Sequence, residues 1–553
     1  MESDRIQRFV DLVPLVVGAL TVTMLAQIWA ARMFYPYDLE WMEGGMLAHA
    51  WRMQQGLPIY VEPGPDWIPF IYPPGYAAMI AAAGQVFGLS HAVGRALSLA
   101  GTMAAGLAIV FGVRRQTGHT TPGVLAAMLF LSCYIFAGGF YDLVRLDGVY
   151  IGLLGWCIVL GAERFKGALE ASALLLAAAF LFKQNVALFG IPIALALWRR
   201  DGPSGAMRYF AWSGGPALAF TGFMQWKSGG VYLTYLLAVP ASHPIVGPRL
   251  YGTMRELGWA LVIPAVGVAL WLVAREREAQ KPLAGVTRFT TVAVALGTVA
   301  MLADVLITEV RGIPRMWPIQ SAPTVAALCV ALLAVGFTMS RDKLSWTWSY
   351  GIGIAVVMMV TTAVMRAHHG GFLNVHIPMY WGVSLAAGLA MGAARNEWKG
   401  MPLHVATAGA MAVQLGINGA QIDREKLTPT AADLAAGDRI VMELRQVDGP
   451  VLAPYAPWLA HAAGHAPGTH LISMWDVAHE RSPFGDMRIE YGDAAMKRHW
   501  GAILTGPARF KFDVHTTYKI KALVQPKDKT SFFPKTGWRA RPKHLLVPKR
   551  PKP

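Results

Sequence analysis

Three carboxylates stand close together directly after the first long apolar run of the chain. The segment reads Tyr35-Pro-Tyr-Asp38-Leu-Glu40-Trp-Met-Glu43, which places three acids within a few residues of one another. Carboxylates at a membrane interface are costly unless they are solvated or used. One of these groups could deprotonate an acceptor hydroxyl as a general base, or the cluster could bind a divalent cation. The alternative is a solvated loop whose acids cap a helix.

A second charged group, Tyr141-Asp142-Leu-Val-Arg145-Leu-Asp147, follows the third apolar run. Asp147 stands where the next run begins, and an acid that enters a membrane span needs a partner. Arg145 or a bound sugar could serve as that partner. The alternative is an Asp–Arg pair that only caps the start of a helix.

A polar triplet, Lys183-Gln184-Asn185, interrupts two short apolar runs. Interrupted spans are tolerated where the break lines a cavity rather than lipid. A lysine that points into an outward cavity suits a phosphate. The alternative is a lysine at a helix end whose charged head reaches the interface.

A fourth segment, from Arg366 to Pro378, supplies cationic and amide donors through Arg366, His369, Asn374 and His376. The adjacent histidines His368 and His369 are more often surface groups than metal ligands, so no metal site is assigned to them. A divalent cation at the acidic residues stays possible, and no other cofactor is predicted.

Apolar runs must position these residues, because 54% of the chain is hydrophobic and only 15% is charged. A soluble protein normally carries about 25% charged residues, and about 20 apolar residues span a bilayer core. We predict an all-α polytopic membrane domain with about thirteen spans. The predicted spans are 12–32, 92–112, 122–139, 148–162, 168–182, 186–198, 208–224, 257–273, 289–307, 319–338, 347–365, 378–394 and 401–417.

Basic residues in the short loops predict the orientation, because cytoplasmic loops carry an excess of Lys and Arg. With thirteen spans, the basic loops at 114–115, 164–166 and 199–200 share the cytoplasmic side. The acidic loop 33–91 and the C-terminal part then face outward. Residues 75–89 are predicted to form a helix lying along the outer surface.

After Asn418 the long apolar runs end and shorter predicted elements follow. Strands are predicted at 439–444, 449–453, 502–505 and 518–524, with a helix at 456–463. These elements predict a small soluble α/β domain at 418–553. From 509 to 553 the chain carries 13 Lys and Arg against two Asp. This tail could contact anionic lipid headgroups or a polyanionic acceptor, or it could be solvated and partly disordered.

The order of these motifs resembles the GT-C superfamily of membrane glycosyltransferases. Its members include protein O-mannosyltransferases, the aminoarabinose transferase acting on lipid A, and oligosaccharyltransferase catalytic subunits. The family has an acidic motif after the first span, then an Ala-containing helix, Gly and Tyr. This chain is similar, with acids at 38–43 followed by Ala48, Gly56 and Tyr60. Members commonly carry adjacent Asp and Glu, whereas the acids here are spaced.

The later motifs follow the same order. A Pro-Pro step at 73–74, beside Tyr72, and Phe87-Gly88 precede Arg95, as in the family. The family's second acidic motif is similar to Arg145-Leu-Asp147 of this chain. The family's Lys-containing break between short spans is similar to Lys183-Gln184. An Asn-containing outer segment that ends in Pro is similar to residues 374–378. The resemblance covers the transmembrane domain, residues 1–417, with 33–91 as its outer catalytic loop.

The resemblance implies inverting transfer of a sugar from a polyprenyl-phosphate donor. Glu40 or Glu43 would be the base, and Asp38 and Asp147 would orient hydroxyl groups. The implied substrate-binding residues are Tyr72, Arg145, Lys183, Gln184, Arg366, His369, Asn374 and His376. The acceptor would be a saccharide, lipid or protein, and the remaining partners would be membrane lipids, with no nucleic acid.

The implied location is a bacterial inner membrane, with the site and the C-terminal domain facing the periplasm. The alternative function is a transporter or flippase of lipid-linked saccharides. That class is expected to show inverted repeats and charges near the bilayer midplane, and the sequence shows neither. A membrane-embedded scaffold would not need acids, lysine and arginine on one outward face.

Overall fold

The computed structural model describes residues 2–244, 346–368, 370–396, 401–479, 481–507, 512–528 and 530–549, with single positions 246, 248, 249 and 510. The described helices are α1 (Glu2–Met33), α2 (Glu43–Gln54), α3 (Gly75–Phe87), α4 (His91–Thr117), α5 (Thr120–Ser132), α6 (Asp147–Ala162), α7 (Ala168–Phe180), α8 (Gly190–Lys227), α9 (Val231–Leu233), α10 (Val239–Ser242), α11 (Trp346–Ala367), α12 (Ile377–Asn396), α13 (Met401–Ala420), α14 (Arg424–Leu427), α15 (Ala431–Arg445), α16 (Pro457–Ala462), α17 (Leu471–Val477) and α18 (Arg488–Met496).

Within the described ranges, three helices are both long and apolar enough to cross a membrane. They are Phe9–Met33, His91–Thr117 and Leu373–Arg395. Helices stand at most of the other predicted spans, but several are shorter than a bilayer requires, and the count of thirteen is not confirmed. The spans predicted at 257–273, 289–307 and 319–338 lie outside the described residues. The spans predicted at 186–198 and 208–224 correspond to two helical segments of α8 that meet at a kink at Gly202, where φ is 77°.

Helix α4 packs along α5, α6 and α12. Helix α6 also packs against α7, and α7 packs against α8. The crossing of α4 and α6 is close because glycines face backbone there. A Cβ on Gly101 would lie 2.6 Å from the carbonyl oxygen of Gly148, and a Cβ on Gly148 would lie 2.1 Å from that of Ser98. Small residues allow helix backbones to approach in this way. The close crossing fixes the start of α6, where Asp147 stands.

The polar break predicted at 183–185 is present. Helix α7 ends at Phe180, and the short 3-10 helix Gln184–Phe189 follows before α8. The freed carbonyl of Leu181 accepts a hydrogen bond of 2.8 Å from the backbone N–H of Gly75, at the start of α3. A helix is therefore present at 75–87 as predicted, and its first turn is tied to the break.

A four-stranded sheet follows, in the order β1 (Val451–Leu452), β2 (Ala502–Thr505), β4 (His544–Pro548) and β3 (Tyr518–Leu523). Strands β1 and β2 are parallel, and β4 is antiparallel to both of its neighbours. Three of the four predicted strands and the helix predicted at 456–463 are present. The division of the chain into domains at residue 417 stays a prediction.

The strand predicted at 439–444 was wrong, because these residues belong to helix α15. Thr430 and Asp433 form a reciprocal capping box at its first turn. The buried residues Ala436, Ile440 and Leu444 then repeat at helical spacing. Capping and periodicity outweigh the apolar run that suggested a strand.

Part of the basic tail packs against the acidic loop. We name residues 531–541 the returning segment. The backbone N–H groups of Lys535 and Thr536 donate to the carbonyl of Leu39 at 2.8 and 3.1 Å, and the Lys535 ammonium pairs with Asp433 at 2.8 Å. Arg541 is buried. This portion of the tail therefore packs within the protein, where Lys535 and Arg541 have internal partners.

Candidate active site

Glu43 is a buried anchor of the acidic loop. Its carboxylate accepts hydrogen bonds from the Arg95 guanidinium at 2.7 and 3.0 Å, and neither side chain is exposed. The backbone N–H groups of Leu39 and Val144 donate to it at 2.6 and 2.8 Å. Burial raises the pKa of Glu43, but Arg95 and the hydrogen bonds outweigh burial and lower the pKa to about 2. Glu43 is thus ionised, with both oxygens engaged.

Glu40 has a different environment, although it is only three positions away. Its carboxylate lies 3.6 Å from the Arg145 guanidinium and accepts one backbone hydrogen bond, from Met42, at 3.2 Å. Burial raises the pKa of Glu40 to about 8, and the attraction of Arg145 offsets only part of this effect. A carboxylate with a raised pKa is a stronger proton acceptor when it is ionised. Of the two glutamates, Glu40 therefore has the higher pKa and the fewer hydrogen-bond donors.

Asp147 joins residues from three separate parts of the chain. Its carboxylate accepts hydrogen bonds from Lys183 at 3.2 Å and from the Asn374 amide at 3.1 Å. The Arg145 guanidinium lies 4.0 Å away. The extended backbone of Lys183 in the break after α7 turns its side chain toward the start of α6. The structure thus brings together four of the residues predicted from sequence, and Arg145 connects them to Glu40.

Lys183 also lines a cavity of about 240 Å³ together with Tyr150, Phe189, Thr362 and Met365. Its ammonium lies 4.6 Å from the centre of the Tyr150 ring. The cavity is lined by residues of α6, α11 and α12 and of the break after α7. The cavity borders the Lys183 ammonium, which pairs with Asp147.

A hydrogen bond of 2.7 Å joins Oδ1 of Asp38 and Nε2 of His91. Burial raises the pKa of Asp38, while His91 opposes this shift. Asp38, Glu43 and His91 each offer an atom within 4.8 Å of the others, so they could approach a cation. Glu43 fits this role poorly because Arg95 and backbone N–H groups already occupy its oxygens. Asp38 and His91 are the better ligands of the three.

The C-terminal residues complete this region. A Cβ on Gly537, in the returning segment, would lie 2.8 Å from Oε1 of Glu40, and the φ of Gly537 is +75°. The ring of Trp41 packs on Trp538, with centroids 4.9 Å apart, and Trp475 lies 5.4 Å from Trp538. A side chain larger than glycine would therefore press on the candidate base.

Four predicted site residues lie beside this network or away from it. Tyr72 lies 6.0 Å from the Arg145 guanidinium, measured to its ring centre. The Gln184 amide donates hydrogen bonds to the carbonyls of Ile71 and Leu236, so it stabilises the backbone of these two segments. Arg366 donates to the carbonyl of Gly371, and buried His376 lies 3.4 Å from the Tyr380 hydroxyl. His369 lies outside the described residues.

Two features escaped the sequence reasoning. Arg95 was matched to a family motif without a role, and its pairing with Glu43 had no local signal, because 52 residues separate them. Asp476 is buried in the C-terminal part, and burial raises its pKa to about 8. It lies 3.6 Å from Nε2 of His243. An acid beside a tryptophan, Trp475, in an otherwise apolar helix was the available signal.

No known protein-family profile matches the chain, and no curated protein matches it. Among solved structures, it is similar to ArnT from Cupriavidus metallidurans bound to undecaprenyl phosphate, at 13% identity and a TM-score of 0.43. That match covers 96% of this chain and 97% of ArnT. It is also similar to the Archaeoglobus fulgidus oligosaccharyltransferase in complex with Zn and sulfate, at 12% identity and a TM-score of 0.46. That match covers 89% of this chain and 67% of the other.

Proposed function

We propose that the chain is a GT-C membrane glycosyltransferase. It takes a sugar from a polyprenyl-phosphate-linked donor and transfers it to a saccharide, lipid or protein acceptor. One observation carries the proposal. The Lys183 ammonium lines a cavity among the membrane helices and forms an ion pair with the Asp147 carboxylate. The Arg145 guanidinium lies near the carboxylates of both Asp147 and Glu40. This arrangement supports a lipid-phosphate site at Lys183 that is connected to Glu40 through Asp147 and Arg145.

Glu40 acts as the base in this proposal. The ionised Glu40 carboxylate takes the proton of the acceptor hydroxyl, and the hydroxyl oxygen attacks the anomeric carbon of the donor sugar. The bond between that carbon and the phosphate oxygen breaks, and its electron pair leaves with the polyprenyl phosphate. A single displacement of this kind inverts the anomeric configuration. General-base catalysis typically contributes about 10²–10⁴-fold to the rate.

The neighbouring residues have supporting roles. Lys183 stabilises the negative charge that develops on the leaving phosphate, as fixed cations do in other transfer reactions. Asp147 holds Lys183 and Asn374 in place and can orient sugar hydroxyl groups. Glu43 holds the acidic loop on Arg95, so it supports the base without accepting the proton.

The location follows the topology predicted from sequence. The three long apolar helices indicate a membrane protein. We propose that it spans a bacterial inner membrane, with the acidic loop and the C-terminal residues on the periplasmic side. A polyprenyl-phosphate sugar in the outer leaflet would then reach Lys183 from the bilayer.

The test is a donor assay on purified protein in detergent. The protein is incubated with a panel of polyprenyl-phosphate sugars, with and without an extract of envelope lipids and saccharides as the acceptor source. We expect release of polyprenyl phosphate from at least one donor, and a loss of about 10²-fold or more in Glu40→Gln. Glu62→Gln is the matched control, because Glu62 is an exposed acid of the same loop. If no donor releases polyprenyl phosphate, or if Glu40→Gln matches the wild type, the proposal fails.

A further inference from the structure

The carboxylate proposed as the base is covered in this structure. Glu40 is only 2% exposed, although an acceptor hydroxyl has to come within hydrogen-bond distance of a general base. The returning segment lies directly on it. A Cβ on Gly537 would lie 2.8 Å from Oε1 of Glu40 and 3.0 Å from its Cγ, and Glu40 and Thr536 form a parallel β-bridge. An acceptor can reach Glu40 from this side only after the returning segment has moved.

The two ends of the returning segment are fixed close to each other. Arg541 is buried at one end, and its guanidinium donates hydrogen bonds to the carbonyls of Ser531, at the other end, and of Asp528. The backbone N–H of Phe532 donates to the Asp433 carboxylate at 2.6 Å. A loop whose ends are held together in this way resembles an Ω-loop, and such loops are frequently functional.

The tip of the returning segment, residues 535–538, lies at the surface. All four tip residues are partly exposed, whereas the residues at the two ends are buried. The backbone N–H groups of Lys535 and Thr536 donate to the carbonyl of Leu39, and the Thr536 hydroxyl donates to the carbonyl of Gly138. These polar contacts hold the tip against the acidic loop and against the turn that follows α5.

Two further side chains attach the tip. The Lys535 ammonium pairs with the Asp433 carboxylate at 2.8 Å. The ring of Trp538 packs on that of Trp41, the residue that follows Glu40, with centroids 4.9 Å apart. The tip is therefore attached at separate points, and one attachment can be removed while the others and the fixed ends remain.

We propose that the returning segment is a gate for the acceptor. Its tip moves away from the acidic loop while its ends stay fixed, which uncovers Glu40, and it closes again over the bound acceptor. This inference rests on the proposed transferase function, with Glu40 as the base, and adds a conformational step to it. Closure excludes water, which would otherwise compete with the acceptor for the donor sugar. The donor phosphate at Lys183 is connected to Glu40 through Asp147 and Arg145, so the gate belongs to the acceptor.

The experiment loosens the tip and leaves the proposed catalytic residues unchanged. Thr536→Val removes the hydroxyl that attaches the tip, and Lys535→Gln removes the charge of its ion pair. Thr516→Val and Lys543→Gln are the matched controls. Thr516 uses its hydroxyl within an exposed turn of the C-terminal part, and Lys543 is an exposed lysine before β4.

The first measurement is carboxyl labelling of the full chain in detergent. A water-soluble carbodiimide with glycine ethyl ester couples to carboxyl groups that the reagents can reach. Mass spectrometry gives the labelling rate at Glu40 and, as an internal reference, at Glu62, an exposed acid of the same loop. For a covered group this rate is proportional to the fraction of open molecules. Hydrogen exchange is measured in parallel, on the tip and on the buried strand β4.

We expect Glu40 to be labelled far more slowly than Glu62 in the wild type and in both controls. The rate at Glu40 should rise about threefold or more in Thr536→Val. It should rise about tenfold or more in Lys535→Gln, a change of about 1.4 kcal/mol. Hydrogen exchange of the tip should rise with it, while exchange of β4 stays as in the wild type and shows that the variants are folded. Equal rates at Glu40 and Glu62 in the wild type, or Glu40 rates that the two tip variants leave unchanged, overturn the gate.

The second measurement assigns the gate to the acceptor. Release of polyprenyl phosphate to water is compared with transfer of the sugar to an acceptor, and the loosened tip of Thr536→Val should raise the ratio of release to transfer. An unchanged ratio overturns the role in acceptor entry. The labelling test needs no substrate, so a wild-type protein that releases no polyprenyl phosphate contradicts the transferase function itself and is distinguished from failure of the gate.

Discussion

The carboxylate of Glu43 and the guanidinium of Arg95 meet at 2.7 Å, and neither side chain is exposed to solvent. Removal of one partner from a buried pair leaves the other charge uncompensated, which typically costs about 3–5 kcal/mol. We therefore expect Glu43→Gln to lower the free energy of unfolding by about that amount. Glu43→Gln combined with Arg95→Met should recover much of the loss. Denaturant unfolding in detergent measures both, and wild-type stability in Glu43→Gln would contradict the role of Glu43 as an anchor.

The pH dependence of the rate separates the two glutamates. Only an ionised carboxylate accepts a proton, and burial raises the pKa of Glu40 to about 8. We expect kcat/KM for transfer to rise with pH and to level off above about pH 8, since kcat/KM reports the free enzyme's essential groups. The pKa of Glu43 lies at about 2, so a profile that is flat from about pH 5 to about pH 9 would exclude Glu40 and return the role to Glu43.

Stability should move in the opposite direction through the same group. A carboxyl whose pKa is raised by folding is favoured in its neutral form. Ionisation of Glu40 therefore lowers the free energy of unfolding as pH rises from the ordinary carboxyl range to about 8. Glu40→Gln removes this contribution, so the variant should lose less stability than the wild type over that interval. Equal pH slopes for the two proteins would contradict the raised pKa.

The returning segment offers a test that leaves every acid in place. Gly537→Ala adds a Cβ 2.8 Å from Oε1 of Glu40, and it also strains a backbone with positive φ. Gly485→Ala is the matched control, because Gly485 has a φ of +79° and no neighbour within 4 Å of an added Cβ. We expect Gly537→Ala to lower kcat about tenfold or more, since small misplacements of catalytic groups are costly. Equal kcat losses in the two variants would show that backbone strain alone is responsible.

Lys183 is tested by donor affinity. Removing a charge-assisted hydrogen bond typically costs about 1.5–3 kcal/mol, so we expect Lys183→Ala to raise the donor Kd about tenfold or more. Lys183→Arg keeps the charge and should bind the donor more tightly than Lys183→Ala. Lys227→Ala, at an exposed lysine, is the control. Binding of polyprenyl phosphate, measured by calorimetry, decides the question, and unchanged affinity in Lys183→Ala would remove this residue from the site.

Local patterns predicted the parts of the protein that local forces determine. The break at Lys183 was visible because polar residues interrupt an apolar run, and the strand at 502–505 was visible because it is a short apolar run. The capping box of Thr430 and Asp433 was equally local, and reading it would have corrected the strand predicted at 439–444.

The difference between Glu40 and Glu43 could not be predicted in the same way. Both acids share one short loop, and their roles depend on partners from distant parts of the chain. Arg95 and the backbone of Val144 engage Glu43, whereas Arg145 and Gly537 border Glu40. Which oxygen receives which donor is a property of the packed structure, and no spacing within the loop specifies it.

The returning segment also has a consequence for the order of events during biosynthesis. The carbonyl of Leu39 accepts hydrogen bonds from the backbone N–H groups of Lys535 and Thr536, almost 500 positions later in the chain. Contacts of such separation form only after the intervening chain has been made. The acidic loop is synthesised early, and it lacks its hydrogen bonds to the returning segment while the remaining helices are inserted. We expect that a ribosome-bound intermediate lacking residue 536 contains every proposed catalytic acid and yet has an unformed active site.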